Sequence, residues 1–434
     1  MDYIREERRT PVAGEYDVIV VGGGPAGIGA AIAAGRAGAR TLLIEKYGCL
    51  GGMWTSGLVN PLFDYKNKGG LVQEIVDRLD AAGQSVLVAG GMYDFDIEEM
   101  KYLLDEMTGE ARVEILFYRY FADVLKDGAR INGVLVENKA GRRAYRAGVV
   151  IDCTGDGDVA ARFGVPCEIG RPGDHACQAM TLMYRMSGFD FYQRGARELY
   201  ERMVEAGRAH GVTDYDYNFD QPWILKLPAP HAGVCQMTHM RGYDGLDPAD
   251  LSAALIEGRR RVHDAVRFLQ CHVPEFVDMH LDQTAEMLGV RETRRFSGLY
   301  RLSEDDILAQ RIFDDWIVSN AQYVFGVHNL TGCGGDVHKP DYHGERYTIP
   351  QRCFLTREAK NVLLNGRNIS GTHLAHSSYR VMPICFAMGE GTGTMAALAA
   401  KNDTLPENVD ARDIQARLLA HGVAQPSPKE IVKG

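Results

Sequence analysis

Tyr16-Asp17-Val18-Ile19-Val20-Val21-Gly22-Gly23-Gly24-Pro25-Ala26-Gly27 decides how this chain folds. The apolar, β-branched run up to Val21 shows no alternation, so it reads as a strand buried on both faces. Gly22, Gly24 and Gly27 then follow the spacing G-x-G-x-x-G and open an alanine-rich helical stretch. Gly22 permits a tight turn, Gly24 lets a pyrophosphate approach the backbone, and Gly27 lets helix and strand pack closely. Phosphates would meet the free N–H groups and positive dipole of the helix N-terminus. Thr41-Leu42-Leu43-Ile44 reads as a second strand ending in Glu45, 23 residues after Gly22. A carboxylate at that place accepts hydrogen bonds from ribose hydroxyls and disfavours a 2′-phosphate.

Working outward, residues 49–57 form a glycine-rich loop. Leu71, Ile75, Val76 and Leu79 predict a helix over 70–82, and Asp96 with Glu99 predicts a capped helix over 96–107. Short β-type runs at 113–118, 122–125, 131–137 and 143–146 predict an antiparallel meander. Val149-Val150-Ile151-Asp152-Cys153-Thr154-Gly155-Asp156-Gly157-Asp158 reads as a buried strand entering a sharp turn. From about 173 the texture shifts to amphipathic helical stretches at 194–207, 250–268 and 303–318, mixed with aromatic and histidine-rich loops. Strand-forming sequence returns at Asn361-Val362-Leu363-Leu364-Asn365-Gly366-Arg367-Asn368, followed by an apolar segment at 381–400 and a polar, partly helical tail. The expected class is α/β: a Rossmann-like FAD-binding domain (parallel sheet plus β-meander) from residues 1–172 and 346–434, with an inserted α+β substrate domain at 173–345. The meander and the late return of the first domain favour FAD, since an NAD domain continues with alternating strands and helices.

A chain of 434 residues exceeds one ordinary core, and 45% hydrophobic with 24% charged residues is a globular composition. It contains no apolar run long enough to span a bilayer. The charged opening Met1-Asp2-Tyr3-Ile4-Arg5-Glu6-Glu7-Arg8-Arg9 leads to no signal-peptide pattern, so a cytoplasmic protein is expected. Nine scattered cysteines without a Cys-x-x-Cys pair argue against a disulfide framework, an iron–sulfur cluster and a dithiol redox centre. A net charge of −10 and the lack of a dense basic tract argue against nucleic acid. His231, His239, His338 and His343 follow no ligand spacing, and no metal is assigned.

These pieces resemble the FAD-dependent oxidoreductases of the glutathione-reductase-like fold. The matching stretches are Gly22-Gly23-Gly24-Pro25-Ala26-Gly27, Leu50-Gly51-Gly52-Met53-Trp54-Thr55-Ser56-Gly57, Ile151 through Asp158, Arg291-Glu292-Thr293-Arg294-Arg295, Gly366-Arg367-Asn368-Ile369-Ser370 and Ala375-His376-Ser377-Ser378-Tyr379-Arg380-Val381. They span nearly the whole chain in the expected order. The resemblance implies FAD as cofactor and a cradle made of Gly22, Gly24, Pro25, Ala26, Gly27, Glu45, Lys46, Gly51, Gly52, Met53, Ala122, Thr154, Gly155, Asp156, Gly366, Arg367, Val381 and Met382. It is a poor guide to substrate, because such proteins share the cradle and differ in the inserted domain. Two departures stand out: Cys153 precedes Thr154-Gly155 where alanine is common, and Gly389-Glu390-Gly391-Thr392-Gly393 is richer in glycine than usual, which is expected to loosen that helix.

The resemblance further implies that the C-terminal helix aims its N-terminus at the pyrimidine end of the flavin. Pro383 suits its first turn. Free N–H groups around 381–384 would stabilise negative charge there by up to about 1–2 kcal/mol. Gly389, Gly391 and Gly393 are expected to pack against the first helix. Residues 368–380 are expected to form a loop facing the flavin, with His373 and His376 as acid/base groups and Arg380 as an anion clamp. The plainer reading is that they bind loop backbone or the flavin itself. His328 joins them as a candidate from the substrate side, as do Arg291, Arg294 and Arg295; a solvated face is the competing role for each, and for Arg291 and Arg295 so is ion pairing to Glu292, Glu304 or Asp305. Cys49 could carry a thioether to the flavin or be an unreactive thiol.

The expected activity is removal of a hydride from a small polar substrate bearing hydroxyl or carboxylate groups. With one dinucleotide fingerprint and no redox cysteine pair, electrons would pass on to oxygen, a quinone or a partner protein. A reductase of an activated double bond and a non-catalytic FAD-binding protein are the alternatives. A homo-oligomer is compatible with all three.

Overall fold

The strand read from the fingerprint spans Val12–Val21 and lies inside a seven-stranded sheet. The computed structural model describes residues 3–88, 92–189, 196–212, 223–328, 335–337 and 344–427. Across the sheet the order is Glu114–Leu116, Thr41–Ile44, Val12–Val21, Arg143–Asp152, Arg130–Glu137 and Tyr120–Asp127. The first four run parallel, and the last two return antiparallel as the meander.

Arg143–Asp152 is one unbroken strand, where the sequence suggested two runs separated at Ala147-Gly148. Its pairing with the first strand continues through Tyr16↔Ala147 and Val18↔Val149, so the small residues do not end it. On its other edge the first half pairs with Arg130–Glu137 and the last residues pair in parallel with Val362–Leu364. This one strand joins the meander, the N-terminal unit and the returning C-terminal segment.

Helix Pro25–Arg36 covers the sheet and meets helix Met382–Lys401 backbone to backbone. A Cβ on Gly29 would overlap the carbonyl of Phe386; on Gly389 it would overlap that of Ala26, and on Gly393 that of Ala30. Gly391 does not join this contact, contrary to expectation: it faces the carbonyl of Ile317 in strand Trp316–Ala321. Gly389 and Gly393 are four residues apart and share a face, whereas Gly391 lies roughly 200° around the helix from Gly389. The glycines do not interrupt the helix, because close neighbours on two sides hold it.

Residues 184–284 carry an antiparallel sheet in the order Trp223–Lys226, Ala232–Gln236, Tyr184–Ser187, His280–Thr284. Helix Pro248–His272, capped by Asp247, buries Ala254, Gly258, Val262 and Leu269, with Gly258 against Leu182. Other elements follow the sequence reading closely: helices Gly70–Ala81, Ile97–Glu110 and Ala196–Ala209, and Ala411–Ala420 in the tail.

Two expectations fail. The helix expected over 303–318 is only Glu304–Leu308, closed by a Ser303/Asp306 capping box and ended where Gln310 turns to a positive φ. Trp316–Ala321 beyond it is a buried strand paired with Tyr347–Pro350, as its aromatic and β-branched residues prefer. The loop expected over 368–380 contains a helix, His373–Tyr379, because Thr372 caps it by accepting from the amide of Ala375. Among the described residues no helix is long and apolar enough to cross a membrane.

Candidate active site

The corner after the first strand is closed by main chain. Gly22 has φ +105°, and a Cβ there would overlap the carbonyl of Cys153. One on Gly27 would overlap the carbonyl of Gly22, whereas one on Gly24 would meet nothing within 4 Å. Packing dictates Gly22 and Gly27, while Gly24 borders open space. Glu45 first serves the turn itself: Oε2 accepts from the amide of Gly23 (2.5 Å) and Oε1 from that of Tyr47 (2.8 Å). The Gly51 amide donates to Gly23 O (2.9 Å), and Gly52 lies over Gly24. Lys46 is exposed with its ammonium 5.3 Å from the Tyr47 ring, and Ala122 sits at a bulge in the meander.

The returning segment docks on the same corner. Asn365 Nδ2 donates to Ala26 O (3.0 Å), Asn368 Nδ2 to Asp152 O (3.0 Å), and Gly366 abuts Ala26. Arg367 Nη2 donates to Asp156 Oδ1 (3.0 Å), which also accepts from the Thr293 hydroxyl (2.7 Å), and Gly155 lies under the guanidinium. Thr154 donates to Asp152 and accepts from the amide of Asp158. Gly22, Pro25, Ala26, Gly27, Thr154, Gly155, Asp156, Gly366 and Arg367 are thus brought together from three parts of the chain.

Two observations fit this corner to an adenine dinucleotide carrying a flavin. Helices Ile97–Glu110, Pro248–His272, His373–Tyr379 and Ala411–Ala420 are capped by the side chains of Asp96, Asp247, Thr372 and Asp410. The N-cap residues of the helices that begin at Gly24-Pro25 and at Val381-Met382 give no side-chain cap. Those of Gly70–Ala81 and Asp158–Phe163 give none either, but there Glu390, Thr154 and Asp152 accept from the first-turn amides. The first-turn amides after Gly24 and after Val381 are the donors that a diphosphate and the electron-rich edge of a flavin would satisfy. Arg367 Nη1 is also buried without a protein partner.

A second cluster adjoins the corner. Met53 touches Gly289, whose backbone pairs with Thr181, and Ser56 O accepts from the amides of Glu286 and Met287. These ties place Arg291 beside the glycine-rich loop. Arg291 Nη1 donates to Ala179 O. Arg380, just before the uncapped helix, donates through Nη2 to Gly326 O (2.8 Å) and Gln178 Oε1 (3.2 Å). Gln178 Oε1 also accepts from the amide of His328 (3.3 Å), and the His328 ring lies 5.4 Å from that of His239. Arg380 and His328 are therefore brought together by one glutamine.

The electrostatics of this pocket follow from burial and like charge. Burial, then Arg380 and Arg241, lowers the Arg291 guanidinium to about 9, so it stays charged at neutral pH. Burial followed by Arg291 and Arg380 holds His328 well below its ordinary value, and burial with Arg291 and Arg241 does the same to His239. Both imidazoles are neutral at pH 7 and can accept a proton.

The other two candidates stand in a different setting. His373 Nδ1 donates to Glu292 Oε1 (2.7 Å), which Arg295 also grips (2.5 Å), and His373 Nε2 is buried without a protein partner. His376 is buried and held well below its ordinary value by desolvation and then by Arg295. Of the arginine cluster, Arg295 has the structural ion pair foreseen for it, Arg294 pairs with Asp158, and Arg291 has no carboxylate among the described residues. Cys49 is half-buried against Ser56 Oγ (3.2 Å).

The sequence missed Gln178, Arg241 and Tyr323, and placed His239 only in a search for metals. No local motif marks them, since Gln178 meets its partners across more than a hundred residues of chain and Arg241 and Tyr323 meet theirs across tens of residues. His338 and His343 lie outside the described residues.

Comparison with known proteins completes the picture. The sequence profile of the family described as FAD dependent oxidoreductase matches residues 17–418. A thiamine thiazole synthase from Aeropyrum pernix is 29% identical over 206 residues, 44% of this chain and 72% of that protein. A geranylgeranyl bacteriochlorophyll reductase-like protein from Thermoplasma acidophilum superposes with TM-score 0.51 at 13% identity, covering 94% of this chain and 84% of the other. The myxobacterial chondrochloren halogenase CndH gives 0.50 at 12% identity, covering 93% and 78%. At such identities the two structures attest the fold alone.

Proposed function

The chain belongs to the FAD-dependent oxidoreductase family, and from that premise we propose that it oxidises a small hydroxyl-bearing substrate whose carboxylate is held by Arg380. The observation that carries this reading is that Gln178 Oε1 takes both the Arg380 guanidinium and the backbone amide of His328, which sets a neutral imidazole within the field of that guanidinium. When bound, FAD would supply the two-electron acceptor for a hydride. Gly22, Gly24, Gly27, Thr154 to Asp156, Arg367 and the amides after Val381 would hold it.

The chain's own residues do the rest. Arg380 fixes the carboxylate and so the orientation of the carbon to be oxidised. His328 accepts the hydroxyl proton as the C–H bond breaks, a role open to it because burial and the arginines keep the ring neutral. Glu292 holds the His373 ring from behind. Residues 1–172 and 346–434 form the flavin domain in this reading, and 173–345 bring Gln178, Arg291 and His328 to its edge.

Anaerobic mixing of the yellow protein with a panel of hydroxy acids, alcohols and enoates, read on the visible flavin band, tests the proposal. Bleaching by a hydroxy acid is expected, slowed ~10²- to 10⁴-fold by His328→Gln with FAD retained. Reoxidation of chemically reduced protein by an enoate, with no bleaching by any alcohol or hydroxy acid, would replace it with the reductase reading.

A further inference from the structure

We infer that the pocket bounded by Gln178, His239, Arg291, His328 and Arg380 takes a small dicarboxylate as its dianion, one carboxylate on Arg291 and the other on Arg380. This names the substrate class of the site proposed above; the reaction rests on that reading, the binding does not.

Arg291 and Arg380 are anchored alike, each through one terminal nitrogen to neutral oxygens: Ala179 O for the first, Gly326 O and Gln178 Oε1 for the second. Other arginines around the site are matched by acids: Arg295 by Glu292, Arg367 by Asp156, Arg294 by Asp158. Among the described residues neither Arg291 nor Arg380 forms an ion pair. Glu292 does act on Arg380, but its carboxylate is already held by Arg295 and His373. The phenol of Tyr323, which acts on both arginines, is pushed up by burial and carries no charge at neutral pH. His239 and His328 contribute none either.

Arg291 and Arg380, buried in one cluster, repel each other and call for two negative charges; Arg241 adds to the repulsion on Arg291 but has interactions of its own. A monoanion would match one and leave the other uncompensated at low dielectric. A dicarboxylate matches both, and each planar carboxylate suits the fork of a guanidinium. Further atoms independently point to a polar ligand. Gln178 Nε2 and His239 Nε2 are buried without a protein partner in residues only 3% and 2% exposed, and Arg380 Nε is buried in the same condition.

Equilibrium dialysis and thermal shift of the full, FAD-loaded protein with malonate and succinate against acetate and butyrate test the inference. Dicarboxylates should bind at least tenfold more tightly than monocarboxylates of equal length. Arg291→Gln should erase that gap, and Arg291→Lys should restore part of it. Equal binding of mono- and dicarboxylates, or tighter binding of inorganic phosphate than of any dicarboxylate, overturns the inference. A preserved gap in Arg291→Gln does so as well. Should the variants fail to fold, the wild-type ratio still decides. Bleaching by a monocarboxylic hydroxy acid with no dicarboxylate preference keeps the reaction and removes this inference; tight dicarboxylate binding without bleaching by any hydroxy acid does the reverse.

Discussion

The fingerprint corner is made of main chain, whereas the cationic pocket beside it is made of side chains. At the corner, Gly22, Gly27, Gly29, Gly389 and Gly393 let backbones touch, so that one added methyl meets a carbonyl oxygen. At the pocket, Gln178, His239, Arg291, His328 and Arg380 arrive from five stretches of chain and meet through the Gln178 side chain and the facing His239 and His328 rings. The corner stabilises the fold while it shapes the cofactor site. The pocket concentrates like charge, which works against the fold and serves a ligand. The two should therefore respond oppositely to substitution.

Gly27→Ala should give the largest effect. Its Cβ would fall on the carbonyl oxygen of Gly22, which follows directly on the strand Val12–Val21 and cannot move without shifting it. A loss of about 3 kcal/mol or more, with most FAD lost, is expected from such overpacking. Chemical denaturation and the flavin-to-protein absorbance ratio measure both. A variant that melts like wild type and keeps its flavin would show that the corner is looser than its geometry implies.

This contrast also explains what the sequence disclosed. Backbone requirements leave a local signature, because only glycine tolerates the φ of Gly22 or the contact at Gly27; strand, turn, helix and acid were therefore readable in order. Spacing within one helix was less safe: Gly389, Gly391 and Gly393 look equivalent in a row, but the 100° step sends Gly391 to Ile317. The stretch 303–318 failed because amphipathic spacing does not reveal a capping box that stops a helix after Leu308, nor a partner strand at Tyr347–Pro350. The pocket was half legible. Arg380 and His328 were named one by one, but their meeting through Gln178 depends on the tertiary fold. His239 was weighed for a metal, when its partners are arginines and another histidine.

An ionisable residue on the corner side behaves differently from those in the pocket. Glu390 lies buried inside helix Met382–Lys401 and accepts from the amide of Leu71 (3.1 Å) at the start of Gly70–Ala81. Burial pushes its carboxyl up from 4.5 to about 8. The folded state therefore holds a proton that the unfolded chain releases, and the stability this contributes is present below about pH 4.5 and lost as pH rises through about 8. The slope approaches ~1.4 kcal/mol per pH unit within that window. Glu390→Gln keeps an acceptor for Leu71, so it should flatten the fall in stability between pH 6 and 8 by about 2 kcal/mol. Asp94, pushed up to about 7 by burial, adds a slope of the same sign that the variant leaves in place. Urea unfolding at both pH values reads the difference, and parallel wild-type and variant curves would mean that the carboxyl is ionised in the fold.

The smallest shift is the most telling, because its sign is opposite to that at the corner. Arg291 has its guanidinium lowered to about 9 by burial and by Arg380 and Arg241, which means that folding works against its charge at neutral pH. Removing that charge should stabilise the protein free of substrate. The hydrogen bond to Ala179 O is the only described interaction lost, and a glutamine amide can reach part of the way to it. Arg291→Gln is therefore expected to unfold at equal or higher denaturant, by up to about 1 kcal/mol, since a buried unmatched charge costs more than one neutral hydrogen bond returns. The gain should shrink when a saturating dicarboxylate is added, because the ligand stabilises only the wild-type pocket. If the variant is instead strongly destabilised without ligand, Arg291 is a structural cation with a partner in the chain, and the contrast between corner and pocket fails at that residue.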